Sequence, residues 1–381
     1  MSSGLTVPSE GSLENQEAGQ KDSSENSNPR AYTFVLPGRG RSGGVRVTVE
    51  MAEHLLKRGH SVRIVYRQPG LCSARGLKIR LLQFSRQWQF KDTDWLPGFS
   101  GEVIRYENFS DLEAIGFVEN ELVIAVGTMT VDDVYRLPSS VHRIRYCHGF
   151  SEHKSEAMWK LDMPTISVSP MLIDRLKEFR CDIAGIVPNG INADEYFVEE
   201  RERNAIGCLY NENLKKAPVE TLRLIGKLAK KYPEVPLFVI SDRPKPTEIP
   251  DSVHYVRYPS VDDAREIYNK CKLWLVTSKS EGFCLPILEA MACGAAVVSS
   301  DHDTVGGLVT DKVNGRIVET GSDEAFLSVI DELLSSEDLR RSLVSEGGKT
   351  VVKFSWDAAV DAMELLAQER FSGLVETAAA K

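Results

Sequence analysis

The chain has 381 residues, 42% apolar and 27% charged, an ordinary globular composition with length for two domains. Its formal net charge of −9 argues against a nucleic-acid binder. No apolar run approaches the ~20 residues of a spanning helix, and no signal-peptide pattern opens the chain. A cytoplasmic protein is therefore expected, with any membrane association peripheral, at the inner face.

Residues 1–30 are rich in Ser, Glu, Gln, Asn and Gly and nearly lack apolar side chains. Such a segment cannot offset its ordering entropy and reads as a disordered tail. The last four residues read the same way. Residues 32–36 form a short apolar strand, and a glycine-rich turn spans 38–44. Residues 45–57 then show helical spacing, with Val45, Val49, Ala52, Leu55 and Leu56 on one side. Gly59 ends that helix after a basic last turn, and 62–66 is the next strand. This β-α-β unit implies parallel strands. Buried strands follow at 122–126, 143–147, 165–168 and 186–187, with helices at 131–136, 152–161 and 171–179. Residues 81–99 hold Trp88, Phe90, Trp95 and Phe99 and read as an irregular surface excursion.

A second series starts at 205–209. Strands at 237–240, 253–256, 273–276 and 296–299 alternate with helices at 219–231, 261–271 and 285–293. Three helices close the chain, at 323–334, 337–352 and 356–370. Strand and helix alternating twice over predict two doubly wound parallel sheets, each a Rossmann-like α/β domain. The boundaries expected are 1–30 for the tail, 31–190 for the N-terminal domain and 191–355 for the C-terminal domain.

Gly38, Gly40 and Gly43 fit G-x-G-x-x-G between a strand and a helix, a dinucleotide fingerprint. The second strand then ends at Tyr66-Arg67 rather than at an acid, which suits NADP if it suits a dinucleotide at all. An NADP-dependent oxidoreductase is thus one alternative. Glycines and a helix N-terminus equally admit any phosphate or sugar. The seven cysteines form no C-x-x-C pair and fit reduced, packed thiols, so zinc is not expected. Two D-x-D triplets, Asp92-Thr93-Asp94 and Asp301-His302-Asp303, read as loop chemistry rather than as metal sites. Between Arg39 and Lys91 stand twelve Arg and Lys against two acids, Glu50 and Glu53. That balance reads either as a solvated face or as a surface for phosphate, a polyanionic acceptor or anionic lipid.

The most informative stretch runs from Ser280 to Gly294, after the strand at 273–276. Glu281 and Gly282 lie in the loop, and Pro286 sits in the first turn of the next helix, where its missing N–H costs little. Loop amides and the helix N-terminus then face the crevice where open α/β sheets bind ligands. A diphosphate there gains about 0.3–1 kcal/mol from the dipole at an exposed site. Glu281 before the helix and Glu289 within it could accept hydroxyls on either side of that diphosphate. Glu289 stands among Leu288, Ala290, Met291 and Ala292, where a carboxylate needs a partner.

Residues 281–294 resemble the E-x7-E signature of glycosyltransferase family 4, the large retaining group with the GT-B fold. Gly43-Gly44-Val45-Arg46 resembles that family's N-terminal glycine loop, and Val187-Pro188-Asn189-Gly190-Ile191-Asn192 its interdomain segment. Asp311-Lys312-Val313-Asn314-Gly315 and Phe354-Ser355-Trp356 are similar to its later turn and to the start of its final helix. The resemblance implies a GT-B fold, two Rossmann-like domains facing a cleft, with the helix at 356–371 crossing back. It implies a metal-independent glycosyltransferase without cofactor, which moves a sugar from a nucleoside-diphosphate sugar to an acceptor hydroxyl with retention. Lys216, with Lys215 beside it, would neutralise the diphosphate. Asn211 stands where the family usually has an arginine, and Arg41 or Arg243 could supply the missing charge. Glu281 would contact the donor sugar, Glu289 the ribose, and His148 the sugar near its reacting centre. Amides around Gly282, Phe283, Cys284 and Leu285 would hold phosphate, with Cys284 where the family often has glycine. The acceptor is open; a lipid-linked or polyanionic one is compatible with the basic N-terminal face. The same scaffold also admits a non-catalytic sugar-nucleotide binder or a sugar-nucleotide epimerase.

Overall fold

The computed structural model describes residues 30–68, 81, 94–149 and 156–371. The expected tail up to residue 29, Trp88, Phe90, Asp92, the start of the helix expected at 152 and the chain after 371 lie outside the described residues.

The N-terminal lobe holds β1 (Ala31–Leu36), α1 (Gly43–Lys57), β2 (Ser61–Arg67), β3 (Glu102–Tyr106), α2 (Phe109–Ala114), β4 (Leu122–Val126), α3 (Val131–Tyr135), β5 (His142–Cys147), α4 (Glu156–Trp159), β6 (Thr165–Ser167), α5 (Pro170–Glu178) and β7 (Ile183–Ile186). The C-terminal lobe holds β8 (Ala205–Tyr210), α6 (Pro218–Lys231), β9 (Leu237–Ser241), β10 (His254–Arg257), α7 (Val261–Lys270), β11 (Cys271–Val276), α8 (Leu285–Ala292), β12 (Ala296–Ser300), β13 (Arg316–Val318), α9 (Asp323–Ser335), α10 (Glu337–Val352) and α11 (Trp356–Phe371).

The strands make one sheet per lobe, ordered β3-β2-β1-β4-β5-β6-β7 and β10-β9-β8-β11-β12-β13. Every pairing is parallel. The order reverses between β1 and β4 in the first sheet and between β8 and β11 in the second. Ligands bind outside the strand ends at such a switch point. The loops after β1, β8 and β11 therefore form the ligand-binding edge of each lobe. Two strands carry no signal in the sequence. β3 exposes most of its residues, and β13 has three residues, so neither shows the apolar run that marks a buried strand.

Local chemistry sets the element ends. Ser42 caps α1 by accepting from Val45 N, and Gly59 takes φ +89° just beyond the helix. A reciprocal Ser260–Asp263 capping box starts α7. Pro218 and Pro286 occupy first turns, where no intrahelical N–H bond is lost.

One apolar cluster runs without a break through the β1-β2-β4 side of the first sheet, α1 and α11, and on to Phe283 and Ile287 of the second lobe. α11 packs against the first lobe. Arg58 meets Asp361 and Glu364, His60 bonds Glu364 at 2.7 Å, and Trp356 stacks on His54 at 5.5 Å. The entry to α11 is pinned where Ile191 N donates to Phe354 O at 2.8 Å. Gly190 leaves no room there: an added Cβ would lie 2.5 Å from the Trp356 ring and 2.7 Å from its Cα. Gly190→Ala should lower stability by about 1–3 kcal/mol through overpacking, read as a lower urea midpoint.

Candidate functional site

A cavity of about 680 Å³ lies between the lobes. The first lobe lines it with the 40–44 loop, Val47, Trp95 and His148, and Asn189 closes the seam. The second lobe contributes Leu209 to Asn211, Lys216, Ser241 to Arg243, Tyr258, Pro259 and residues 281–286. The three switch-point loops thus converge as the strand orders require.

At the second lobe's loop, Lys216 Nζ meets both carboxylate oxygens of Glu281, and Ser278 Oγ donates to Oε1 at 2.6 Å. The Glu281 side chain is 7% exposed. Burial would lower the Lys216 pKa, but Glu281 more than offsets it, so the ammonium stays charged. Asp303 takes the Glu281 amide at 2.9 Å and Ser280 Oγ at 2.7 Å. The second D-x-D triplet therefore orients the Glu281 loop. Asp94, the described acid of the first triplet, pairs with Arg39. Among the described residues, no cluster of three His, Cys, Asp or Glu could hold a metal ion.

Among the described residues, no side chain caps α8. Its first turn faces the cavity through Leu285 and Pro286, leaving amide donors and the positive dipole end for an anion. Cys284 precedes that turn at φ +76°, a left-handed conformation that glycine adopts without strain. This explains the glycine usual at the position in the resembling family. Burial pushes the Cys284 thiol well up, so it packs as a thiol and is no thiolate nucleophile.

His148 follows β5 directly on the opposite wall, its ring 4.1 Å from that of Tyr146. Neither ring nitrogen has a hydrogen-bond partner among the described residues, and both are shielded from solvent. Burial lowers its pKa to about 3, so the imidazole is neutral and keeps one donor and one acceptor free. Its carbonyl oxygen abuts Gly282, where an added Cβ would sit 1.9 Å away. Ser169 Oγ also donates to Gly282 O at 3.1 Å. Gly43 opens α1 on the cavity, and Gly44 lies close under His148, an added Cβ reaching its side chain at 3.9 Å.

The structure brings together His148, Gly43, Gly44, Asn211, Lys216, Glu281, Gly282, Phe283, Cys284 and Leu285 on one cavity. Lys215 and Glu289 are not on it. The Lys215 carbonyl instead accepts Lys279 N at 2.7 Å and Ser280 N at 3.2 Å, which ties two loops together. Glu289, expected to reach a ribose, gives one oxygen to Arg46 at 2.7 Å and the other to Tyr268 at 2.7 Å. Asn211 donates to Asp242 at 3.0 Å, so the usual arginine's place holds an amide anchored in its own lobe. Arg41 and Arg243 both line the cavity, and Arg41 crosses to bond Pro259 O at 2.8 Å.

Sequence reasoning does not single out two of the cavity residues. Trp95 falls in the expected surface excursion, yet it lies against Arg41 and Arg46, and its indole N–H has no hydrogen-bond partner among the described residues. Asn189 is 4% exposed and its Oδ1 has no hydrogen-bond partner among the described residues. Its place in the interdomain motif was the available signal.

The basic stretch also resolves differently from its local count. Arg39, Arg46, Arg58, Arg63 and Arg67 all pair with acids at other places in the chain, Asp94, Glu289, Asp361, Glu121 and Asp133. They do not form an open cationic face. Arg67, the residue compatible with NADP, is held by Asp133 at 3.5 Å. Arg75, Lys78, Arg80, Arg86 and Lys91 lie outside the described residues. No described helix is long and apolar enough to cross a membrane.

Comparison with known proteins agrees with this fold. Residues 200–350 match the family model described as Glycosyl transferases group 1. An uncharacterized glycosyltransferase of Methanocaldococcus jannaschii is 28% identical over 206 residues, 51% of this chain and 56% of the relative. The D-inositol 3-phosphate glycosyltransferase of Salinispora arenicola is 34% identical over 118 residues, 30% of this chain and 26% of the relative. The chain thus spans about half or less of these curated relatives. Among solved structures, sucrose-phosphate synthase from Thermosynechococcus elongatus superposes with TM-score 0.69 at 15% identity, covering 90% of this chain and 100% of that one. Anabaena HepE in complex with UDP superposes with TM-score 0.68 at 14% identity, covering 89% and 100%. The fold is GT-B. The match to the Glycosyl transferases group 1 model falls on the second lobe.

Behind the cavity, Glu50 shares a small void with Arg46 and Glu289. Burial first, then Glu195, raises its pKa to about 7, and Arg46 and Lys57 pull it partly back. The folded chain then holds a proton that the unfolded chain releases near the ordinary carboxylate value. Stability should fall as pH rises from about 4.5 to about 7. Glu50→Gln removes that slope. Relative to the unsubstituted chain it should gain stability between pH 5 and pH 8, by about 3 kcal/mol at most, read from urea titrations at both values.

Proposed function

We propose that this chain is a glycosyltransferase that takes its sugar from a nucleoside-diphosphate sugar held in the interlobe cavity. One observation carries the reading: a neutral His148, with neither ring nitrogen partnered among the described residues, shares the cavity with the Lys216–Glu281 pair and a helix start that no described side chain caps. A buried polar group without a partner is costly unless a ligand satisfies it. HepE, of the same fold, is solved with UDP, which supports a nucleotide donor for this chain as well.

The diphosphate would lie over the first turn of α8 and near Lys216. Charge that develops on the departing phosphate would then meet donors already aimed at it. Glu281 would accept hydroxyls of the donor sugar, and His148 would hydrogen-bond that sugar from the opposite lobe. No protein-held metal or cofactor takes part in this reading. Retention of configuration follows from the family resemblance. The departing phosphate then helps take the acceptor proton, since Glu281 is engaged by Lys216 and Ser278. Closure of the lobes would keep water from the donor. A cytoplasmic setting remains part of the proposal, and the acceptor stays open between a glycan, a glycolipid and a small molecule.

A second reading is a sugar-nucleotide binder without turnover, favoured by the amide of Asn211 in place of a guanidinium. Calorimetry against UDP-, GDP- and dTDP-sugars, with product formation followed by mass spectrometry, separates the two. Turnover with any donor supports transfer; binding without product supports the second reading. Tight NADP binding with no sugar-nucleotide binding would restore the dehydrogenase.

Two substitutions test the geometry. Lys216→Ala should lower kcat/KM by a factor of about 10²–10³, the scale of losing one preorganised donor to developing charge. Retained activity would dismiss its role, and a melting curve separates lost chemistry from a Glu281 left unpaired. Gly282→Ala should nearly abolish activity while the lobes still fold, because its Cβ would displace the His148 backbone.

A further inference from the structure

The cavity reaches Glu281 but stops short of Glu289, and the guanidinium of Arg46 stands between. Arg46 of α1 places Nη1 2.7 Å from Glu289 Oε1 on α8. The same guanidinium lies 5.1 Å from the centroid of the Trp95 ring, and Trp95 lines the cavity. Val47 and Leu285 line both the cavity and the small void shared by Arg46, Glu50 and Glu289. The other Glu289 oxygen takes the hydroxyl of the fully buried Tyr268 at 2.7 Å. Oε1 is therefore the oxygen for which a ligand in the cavity would compete, and Arg46 holds it.

A guanidinium N–H at this distance fills the place of a hydroxyl donor to the same carboxylate oxygen. Glu289 lies one turn beyond Leu285, at the start of the helix that would carry the diphosphate, so the ribose next to that diphosphate comes within its reach. Arg46 and a ribose hydroxyl cannot both take the same place at Oε1. Breaking the pair has a cost, because the Arg46 and Glu289 side chains are only 15% and 9% exposed and a buried charge needs a counterpart. Arg46 has other acids to turn to. Its Nη2 already bonds Glu195 Oε2 at 2.9 Å, and Glu50 stands one helical turn along the same face of α1, on the same void. An exchange in which Glu289 accepts ribose hydroxyls, while Arg46 keeps Glu195 and turns to Glu50, leaves neither charge alone.

The geometry points to Arg46 as a displaceable plug of the ribose site: it covers Glu289 until the vicinal hydroxyls of the donor's ribose take its place. Arg46 belongs to the first lobe and Glu289 to the second, so donor binding exchanges a bond between the lobes for a bond to the ligand. Arg46 thereby sets how strongly donor binding depends on the ribose. This rests on the proposed donor reading, with Glu289 as the ribose ligand within it.

The test measures binding of UDP and GDP to the full chain and to Arg46→Ala by calorimetry. The matching 2′,3′-dideoxynucleoside diphosphate and inorganic pyrophosphate serve as controls. Pyrophosphate reads the charge that the substitution removes, and the dideoxy compound reads everything but the ribose hydroxyls. In Arg46→Ala, Kd for the better-bound ribonucleotide, taken relative to pyrophosphate, should fall about 10-fold, the scale of one charge-assisted hydrogen bond that binding no longer breaks. The same ratio for the dideoxy compound should not move. Two results overturn the plug. One is a ratio unchanged or raised for the ribonucleotide, a rise making Arg46 itself a ligand of the donor. The other is an equal fall for the ribo and dideoxy forms, which would put the released group away from the ribose. If Arg46→Ala does not fold, Arg46→Lys, which keeps the charge but loses the two-armed fork, must show a smaller change of the same sign, and its absence counts against the plug. An unsubstituted chain that binds no nucleotide would sink the donor reading and the plug with it. Nucleotide binding that is indifferent to Arg46→Ala would sink the plug alone.

Discussion

No side chain fits between Gly282 and the carbonyl oxygen of His148. That backbone-to-backbone approach fixes how closely the two sheets present their strand ends to each other. Everything on the cavity walls is placed relative to it. His148 comes from the end of β5, while Glu281 and the uncapped start of α8 follow β11. Parallel sheets alone would put these groups at the edges of two separate lobes. The glycine contact, with Ser169 bonded to the same loop, turns two edges into one site.

The charges inside that site are arranged by long-range pairing. Lys216 stays protonated because Glu281 outweighs the cost of burial. Asp303, which belongs to a triplet that elsewhere suggests a metal, holds the Glu281 loop by its amide. Arg41 reaches over the cavity to Pro259 of the opposite lobe. The site thus combines fixed positive groups with an imidazole that burial keeps neutral. This combination suits an anionic leaving group beside an uncharged sugar. The left-handed backbone at Cys284 is a local strain on the wall, and it sits where the helix start must turn into the cavity.

The sequence by itself determined the architecture. Alternating apolar strands and amphipathic helices are local patterns, because burial of one face repeats with the period of the element. They made two parallel, doubly wound sheets legible. The same patterns placed Glu281, Gly282 and His148 in loops that follow strands, and the family resemblance singled out Lys216. β3 and β13 escaped because an exposed edge strand and a three-residue strand carry no such period.

Only the tertiary structure decided which side chains meet. Arg46 and Glu289 are 243 positions apart, and no local count could pair them. The basic stretch looks unbalanced because its acids lie elsewhere, Glu121, Asp133 and Asp361 among them. Trp95 belongs to a stretch that reads as a surface excursion, and the fold brings it into the cleft. The physical reason is common to all three. Periodicity reports how much of a residue is buried, whereas an ion pair or a cavity wall depends on which distant element the chain folds against it.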